Sequence, residues 1–195
     1  MASSPMAGIN TVTDLTDQQI QDKVAAKFWM HSFELIPGVV TPGKWGRSYP
    51  GKTLDEQYRI PWDDLNGRRV LDIGALDGMF SFELERRGAI VTAFDIQSPD
   101  VTGFNTAKEI IGSKVEYVQG DVYELHKYFC EKFDLICFFG VWYHLKNPVA
   151  AFAQVANVLA DEGVLLAEGA CLYEHMEAPG IDSEDLRELA LRALS

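Results

Sequence analysis

Val70-Leu71-Asp72-Ile73-Gly74-Ala75-Leu76-Asp77-Gly78-Met79-Phe80 is the stretch that decides the fold of this chain. An apolar run ends in an acid, two glycines follow four residues apart, and an amphipathic helical pattern begins. A strand, a tight turn and a helix start in this order are where an open α/β sheet binds a nucleotide-like cofactor. Gly74 supplies a backbone conformation or a clearance that a Cβ would block. Gly78 lets the helix start lie close to the strand. A dinucleotide fingerprint would place further glycines at 76 and 79. Leu76 and Met79 stand there instead, so a pyrophosphate loses its close backbone approach and a cofactor without phosphates is easier to accommodate. The competing reading is an ordinary strand-to-helix turn without a ligand.

Downstream of this turn the pattern is regular. Strands are predicted over 69–73, 90–95, 114–119, 133–139 and 163–168, and helices over 78–87, 100–111, 122–130, 148–159 and 183–194. Alternation of this kind gives right-handed βαβ units. The expected fold class is α/β, a Rossmann-like and mostly parallel sheet with helices on both faces. Near-continuous apolar strands agree with burial on both sides. The C-terminal strands that often complete such a sheet are missing from the pattern. Either the sequence is a truncated one, or the sheet edge is protected in another way, as by a partner chain in a homo-oligomer.

Upstream, residues 1–15 read as a loose tail, and Thr16 or Asp17 caps a helix over 18–33. Residues 36–66 hold Pro37, Pro42, Pro50 and Pro61 together with Trp45, Tyr49, Tyr58 and Trp62. The stretch reads as irregular and too long for a simple linker. It is expected to form a lid or substrate-side cap. The division is therefore an N-terminal tail, helix and cap over 1–66 and a cofactor-binding domain over 67–195.

The 195 residues suit one hydrophobic core, and the net charge of −12 argues against non-specific adhesion to nucleic acid or an anionic membrane. The N-terminus lacks the basic and apolar regions of a signal peptide, and no apolar run is long enough to span a bilayer. A cytoplasmic protein is expected. Cys130, Cys137 and Cys171 share no metal-like spacing, and their odd number disfavours a disulfide framework. They read as free thiols, and no metal site is expected.

Two further strand ends carry acids. Asp95 closes the run Val91-Thr92-Ala93-Phe94-Asp95, at the spacing where an acid meets ribose hydroxyls. A carboxylate accepts two hydrogen bonds and so suits a vicinal diol. Asp121 follows the third strand and suits an adenine amino group, with Val122 packed near the ring. It is equally placed to cap the next helix.

The order Leu71-Asp72-Ile73-Gly74-Ala75-Leu76-Asp77-Gly78, then Phe94-Asp95-Ile96-Gln97, Gln119-Gly120-Asp121-Val122, Phe138-Phe139-Gly140-Val141-Trp142-Tyr143-His144 and Gly163-Val164-Leu165-Leu166-Ala167-Glu168 resembles a class I S-adenosylmethionine-dependent methyltransferase. The resemblance covers about residues 68–170. It implies S-adenosyl-L-methionine as cofactor, with Asp72, Gly74, Ala75 and Gly78 cradling its methionine part. It places Asp95 on the ribose with Ile96 beside it, Asp121 and Val122 at the adenine, and Gly140 at the end of the fourth strand. Leu76 occupies the place of a third glycine that the family often has. Within the superfamily the later motifs, and the segment from His31 to Gly43, resemble the branch of tRNA wobble-uridine (5-oxyacetate-forming) methyltransferases. Members of that branch that use a carboxylated cofactor need positive charge, which Lys44, Arg47 or Lys52 would supply.

The expected activity is methyl transfer to a small molecule, at oxygen. His144, just past the fourth strand, is the candidate base for a hydroxyl acceptor, and Tyr143 would orient the acceptor or line the pocket. Each also fits a structural role in a turn. Trp142 reads as core or pocket wall, His126 as solvent-facing and His175 as surface. Glu168 ends the fifth strand and could reach the substrate. His31 and Glu34, three apart at the end of the first helix, would face the pocket if that helix forms a lid. A tRNA base as substrate and a non-catalytic cofactor-binding module remain the alternatives. A basic groove would favour the first and an open methyl position the second.

Overall fold

The first helix forms because Thr16 closes a capping box with Gln19, each side chain meeting the other's backbone N–H. The structure, a computed structural model, describes residues 15–44, 46–62 and 64–170. Helix α1 runs Asp17–Ala25 and buries Ile20 and Val24. It ends well before residue 33, where the sequence pattern would carry it. Trp29 folds back to donate its indole N–H to the Val24 carbonyl at 2.8 Å, and the backbone N–H groups of Met30 and His31 turn to Asp77. These bonds replace the helical ones.

The cap is more ordered than its composition suggests. Strands β1 (Glu34–Ile36) and β2 (Val39–Val40) form a small antiparallel hairpin around Gly38. The Thr41 hydroxyl braces it, donating to the His31 carbonyl at 2.7 Å and accepting from the Phe33 N–H at 2.9 Å. A helical turn α2 (Pro50–Lys52) continues into a π-helical turn, Thr53–Gln57.

Then come β3 (Arg69–Ile73), α3 (Met79–Arg86), β4 (Ile90–Asp95), α4 (Phe104–Ile111) and β5 (Glu116–Gln119). A 3-10 turn over Val122–Glu124 leads into a short α5 (Leu125–Tyr128), so the predicted helix over 122–130 is broken after its first turn. Strand β6 (Phe133–Phe139), a 3-10 turn over Trp142–His144, α6 (Pro148–Val158) and β7 (Leu159–Glu168) complete the described chain. Asn147 caps α6 through its side chain, with Pro148 in the first turn. The predicted helix over 183–194, Cys171 and His175 lie outside the described residues.

The five long strands order as β5-β4-β3-β6-β7, every neighbouring pair parallel. Chain progress reverses direction between β3 and β6, and there the carboxyl ends part to leave a crevice. Side chains alternate between two cores. Val70, Ala93, Leu135 and Cys137 face α3, α4 and the N-terminal cap, whereas Leu71, Ile73, Ile136 and Phe138 face α5 and α6. Ile20, Trp29, Leu35, Leu54 and Leu65 belong to the first of these cores, so the cap is built into the packing of the sheet. Among the described residues the sheet ends on β7, which is largely half-buried.

Two polar bolts fix the cap above the carboxyl edge. Arg87 donates to Asp55 at 2.6 Å, to the Gly51 carbonyl at 3.0 Å and to the buried Glu83 at 2.9 Å. Asp77, fully buried, accepts from Met30 N–H at 3.0 Å and His31 N–H at 2.8 Å. Glu83 and Asp77 stand on or beside α3, which follows the glycine turn directly.

Candidate active site

The turn after β3 takes its shape from three residues with positive φ. Gly74 (φ +84°), Leu76 (φ +49°) and Gly78 (φ +84°) alternate along it. A Cβ on Gly74 would stand 2.2 Å from Val141 Cγ2, because the loops after β3 and β6 meet there. Leu76 holds the left-handed region without being glycine, a conformation that costs about 1–2 kcal/mol. Its N–H donates to Asp95 Oδ2 at 3.0 Å. Asp95 Oδ1 accepts from the Gln97 N–H at 2.9 Å, so the acid at the end of β4 holds the turn after β3. Each of its oxygens keeps a lone pair for a ligand. Burial raises its carboxyl above the usual range, against backbone hydrogen bonds that lower it.

Asp72, 3% exposed, sits beneath the turn and accepts from the Ser81 hydroxyl at 2.5 Å. Burial pushes its carboxyl up to about 6. Asp121 accepts from the Tyr123 N–H at 2.9 Å and caps the 3-10 turn. Ile96, 68% exposed, presents an apolar side chain at the end of β4. Gly140 (φ +67°) closes β6, and its N–H meets the Glu168 carbonyl at 3.2 Å and carboxylate at 3.1 Å.

These groups surround one cavity of about 1090 Å³ at the carboxyl edge of the sheet. Asp72, Gly74, Ala75, Asp95, Ile96, Asp121, Val122, Gly140, Tyr143 and His144 all line it, as does Glu168. Gly78 does not. It starts α3 against the Phe82 and Phe104 rings, where a Cβ would come within 2.3 Å of Phe82. His126 is exposed and bonds Gln154. Trp142 is half-buried and packs against Gly169.

The cap supplies the opposite wall through Arg47, Tyr49, Lys52 and Tyr58. Tyr58 stacks on Phe139 with centroids 4.1 Å apart and meets Phe80 edge-on at 5.8 Å. Burial, followed by the Glu168 carboxylate, pushes its phenol up to about 12, so it stays protonated as a hydrogen-bonding group. Arg47 reaches Glu34 at 3.4 Å and Lys52 reaches Glu56 at 3.6 Å. His31 also lines the cavity, but its partner is Asp77, at 2.7 Å, and not Glu34, which is held by Gly38 N–H and Arg47. Sequence reasoning gave Asp77 no role. An acid inside a glycine turn was the available signal, but only the fold brings His31 to it.

The fold and cavity define a class: a doubly wound α/β domain with a nucleotide-type site at its topological switch point. Residues 71–167 match the family described as a methyltransferase domain. The chain carries a class I S-adenosylmethionine-dependent methyltransferase domain. It is 32% identical over 105 residues to a ubiquinone biosynthesis O-methyltransferase of Glaesserella parasuis, covering 52% of this chain and 44% of that protein. It is 34% identical over 104 residues to a tRNA U34 carboxymethyltransferase of Campylobacter hominis, covering 53% of this chain and 36% of that protein. The match thus spans less than half the length of these relatives. The N-terminal domain of EvdMO1, crystallised with SAH bound, shares the fold with a TM-score of 0.61 at 22% identity, over 75% of this chain and 63% of that one.

The site fits the family's cofactor on its own geometry. Gly74, Asp95, Asp121 and Ile96 line one cavity, the two strand-end acids keep free lone pairs, and Ile96 offers an exposed apolar face beside them. No helix among the described residues is long and apolar enough to cross a membrane, and no group of three or more metal-ligating side chains occurs among them.

Proposed function

We propose that this chain transfers a methyl group from S-adenosyl-L-methionine to an oxygen of a small, aromatic acceptor. The observation that carries this reading is the wall that the cap builds over the cofactor crevice, where Tyr58 stacks on Phe139 and Phe80 closes the corner. A flat ring fits such a wall in offset or edge-on contact. One set of relatives is named for O-methylation in ubiquinone biosynthesis, which supports the choice of oxygen. The two cap cations nearest the cavity are each paired with a carboxylate, and the chain carries a net charge of −12, which disfavours a nucleic acid acceptor.

When bound, the cofactor supplies an electrophilic methyl on a sulfonium. The chain's residues hold and orient. Asp95 accepts the ribose hydroxyls through its free lone pairs, and Asp121 accepts from the adenine amino group. Ile96 and Val122 pack on the ring, and the Gly74 turn receives the methionine part. Tyr143 and His144, whose rings lie 4.2 Å apart at the cavity rim, orient the acceptor. Such positioning is worth roughly 7–11 kcal/mol in favourable intramolecular reactions.

The test is methyl transfer from labelled cofactor to a panel of catechols and hydroxybenzoates, run beside unmodified tRNA. Label on the phenolic compounds supports the reading. Label on tRNA alone replaces it, and cofactor binding without transfer to either points to a binding module.

A further inference from the structure

We infer that His31, held by Asp77, is the general base that takes the proton from the acceptor hydroxyl. The inference rests on the proposed methyl transfer to oxygen and adds the residue that such a transfer needs. It starts from a carboxylate whose burial the cofactor site does not explain. Asp77 is 0% exposed, and its Oδ2 is occupied by the Met30 and His31 N–H groups. Its Oδ1 lies 2.7 Å from His31 Nδ1. An ionised carboxylate only accepts, so Nδ1 must carry the hydrogen. The neutral ring is thereby fixed with Nε2 bare, the tautomer that accepts a proton. Nε2 has no hydrogen-bond partner among the described residues, and the side chain lines the cavity.

The ring is held in place as well as in tautomer. Its own backbone N–H binds the same carboxylate, its carbonyl accepts from Thr41, and Phe80 packs beside it with centroids 6.5 Å apart. Asp77 belongs to the glycine turn whose residues Gly74, Ala75 and Leu76 line the cavity, and His31, held by Asp77, lines the same cavity. The charged groups facing it are Asp77 and, across the turn, Asp72. His144 is exposed at the rim, and its backbone N–H donates to the Val141 carbonyl. No carboxylate is placed on its ring among the described residues.

The chemistry balances. The acceptor O–H bond breaks with its electron pair left on oxygen, and the proton goes to His31 Nε2. The oxygen bonds to the methyl carbon of S-adenosylmethionine, whose carbon–sulfur pair stays on sulfur. The imidazolium then releases its proton to solvent. Asp77 is a positioning residue in this scheme.

The test uses the full chain with 3,4-dihydroxybenzoate as acceptor probe. His31→Gln is expected to lower kcat by at least about 100-fold, the range of lost general-base catalysis, while S-adenosylhomocysteine still raises its melting temperature. Asp77→Asn should lower kcat, while S-adenosylhomocysteine still raises its melting temperature. Nitrogen-15 spectra of the histidines, assigned through His31→Gln, should show Nδ1 protonated and Nε2 bare in the native protein, and a mixture of tautomers in Asp77→Asn. Wild-type turnover in His31→Gln, or a native ring protonated at Nε2, overturns the assignment. If the native chain binds the cofactor but methylates no probe, the proposed acceptor class fails, and the tautomer alone then decides whether His31 is set up as a base.

Discussion

Replacing Asp72 by asparagine isolates the cost of the charge buried beneath the glycine turn. Burial lifts this carboxyl from 3.8 to about 6 in the folded chain. A carboxyl raised by folding stabilises the protein most when protonated, below about pH 4. That contribution drains away as the pH rises through 6. A shift from 3.8 to about 6 is worth about 3 kcal/mol at full ionisation. Between pH 5 and pH 8 the same linkage removes about 1.4 kcal/mol from the native protein. An amide in place of the carboxyl does not titrate, so the asparagine variant escapes this loss. The amide carries its own cost, because a buried N–H2 without a partner is worth about 1–3 kcal/mol, but that cost is the same at both pH values. The informative quantity is therefore the double difference. Urea unfolding of Asp72→Asn and the native protein at pH 5 and pH 8 should show the variant gaining about 1.4 kcal/mol relative to the native chain as pH rises. Parallel pH dependence in the two proteins would refute the assignment of a buried, ionising Asp72. A variant that loses ground at pH 8 would reverse its sign.

Three other perturbations test separate parts of the site. Gly74→Ala should cost roughly 2–5 kcal/mol, from left-handed backbone and over-packing against Val141; adding Val141→Ala should recover the packing part and leave about 1–2 kcal/mol, read by thermal unfolding. Asp95→Asn should weaken S-adenosylmethionine binding about 10- to 100-fold by calorimetry, the worth of one or two hydrogen bonds to a charged group, and unchanged affinity would remove Asp95 from the cofactor site. Arg87→Ala should lower the melting temperature by about 4–8 °C, for a loss near 2 kcal/mol, and should speed amide exchange across residues 49–58, because the bonds to Asp55 and Gly51 that bolt the cap to α3 are gone.

The parts of the fold that were legible in the sequence are those dictated by local pattern. Each long strand lies within a residue or a few of its predicted place, because a strand buried on both faces is an unbroken apolar run. The helix predicted over 18–33 fails after Ala25 because the residues that end it, Trp29 and Asp77, act at a distance that periodicity does not register. The cap looked irregular because its order comes from Thr41, Arg87 and Asp77, each bonding to groups far along the chain or across a turn.

The site divides in the same way. Asp72, Gly74, Asp95, Ile96, Asp121 and Gly140 could be named from the sequence because each stands at a strand end, and a parallel sheet delivers all its carboxyl ends to one edge. Which turn conformation Leu76 would accept was not readable there, since its positive φ is held by Asp95, 19 residues on. Nor was the pairing of His31 with Asp77, 46 residues apart. By itself the sequence determined the strand order's raw material and the acids that line the cavity, because those follow from local hydrophobic pattern and turn chemistry. Only the tertiary structure decided which histidine meets a buried carboxylate and which aromatic rings wall the cavity, because those contacts arise where the cap folds over the sheet's edge.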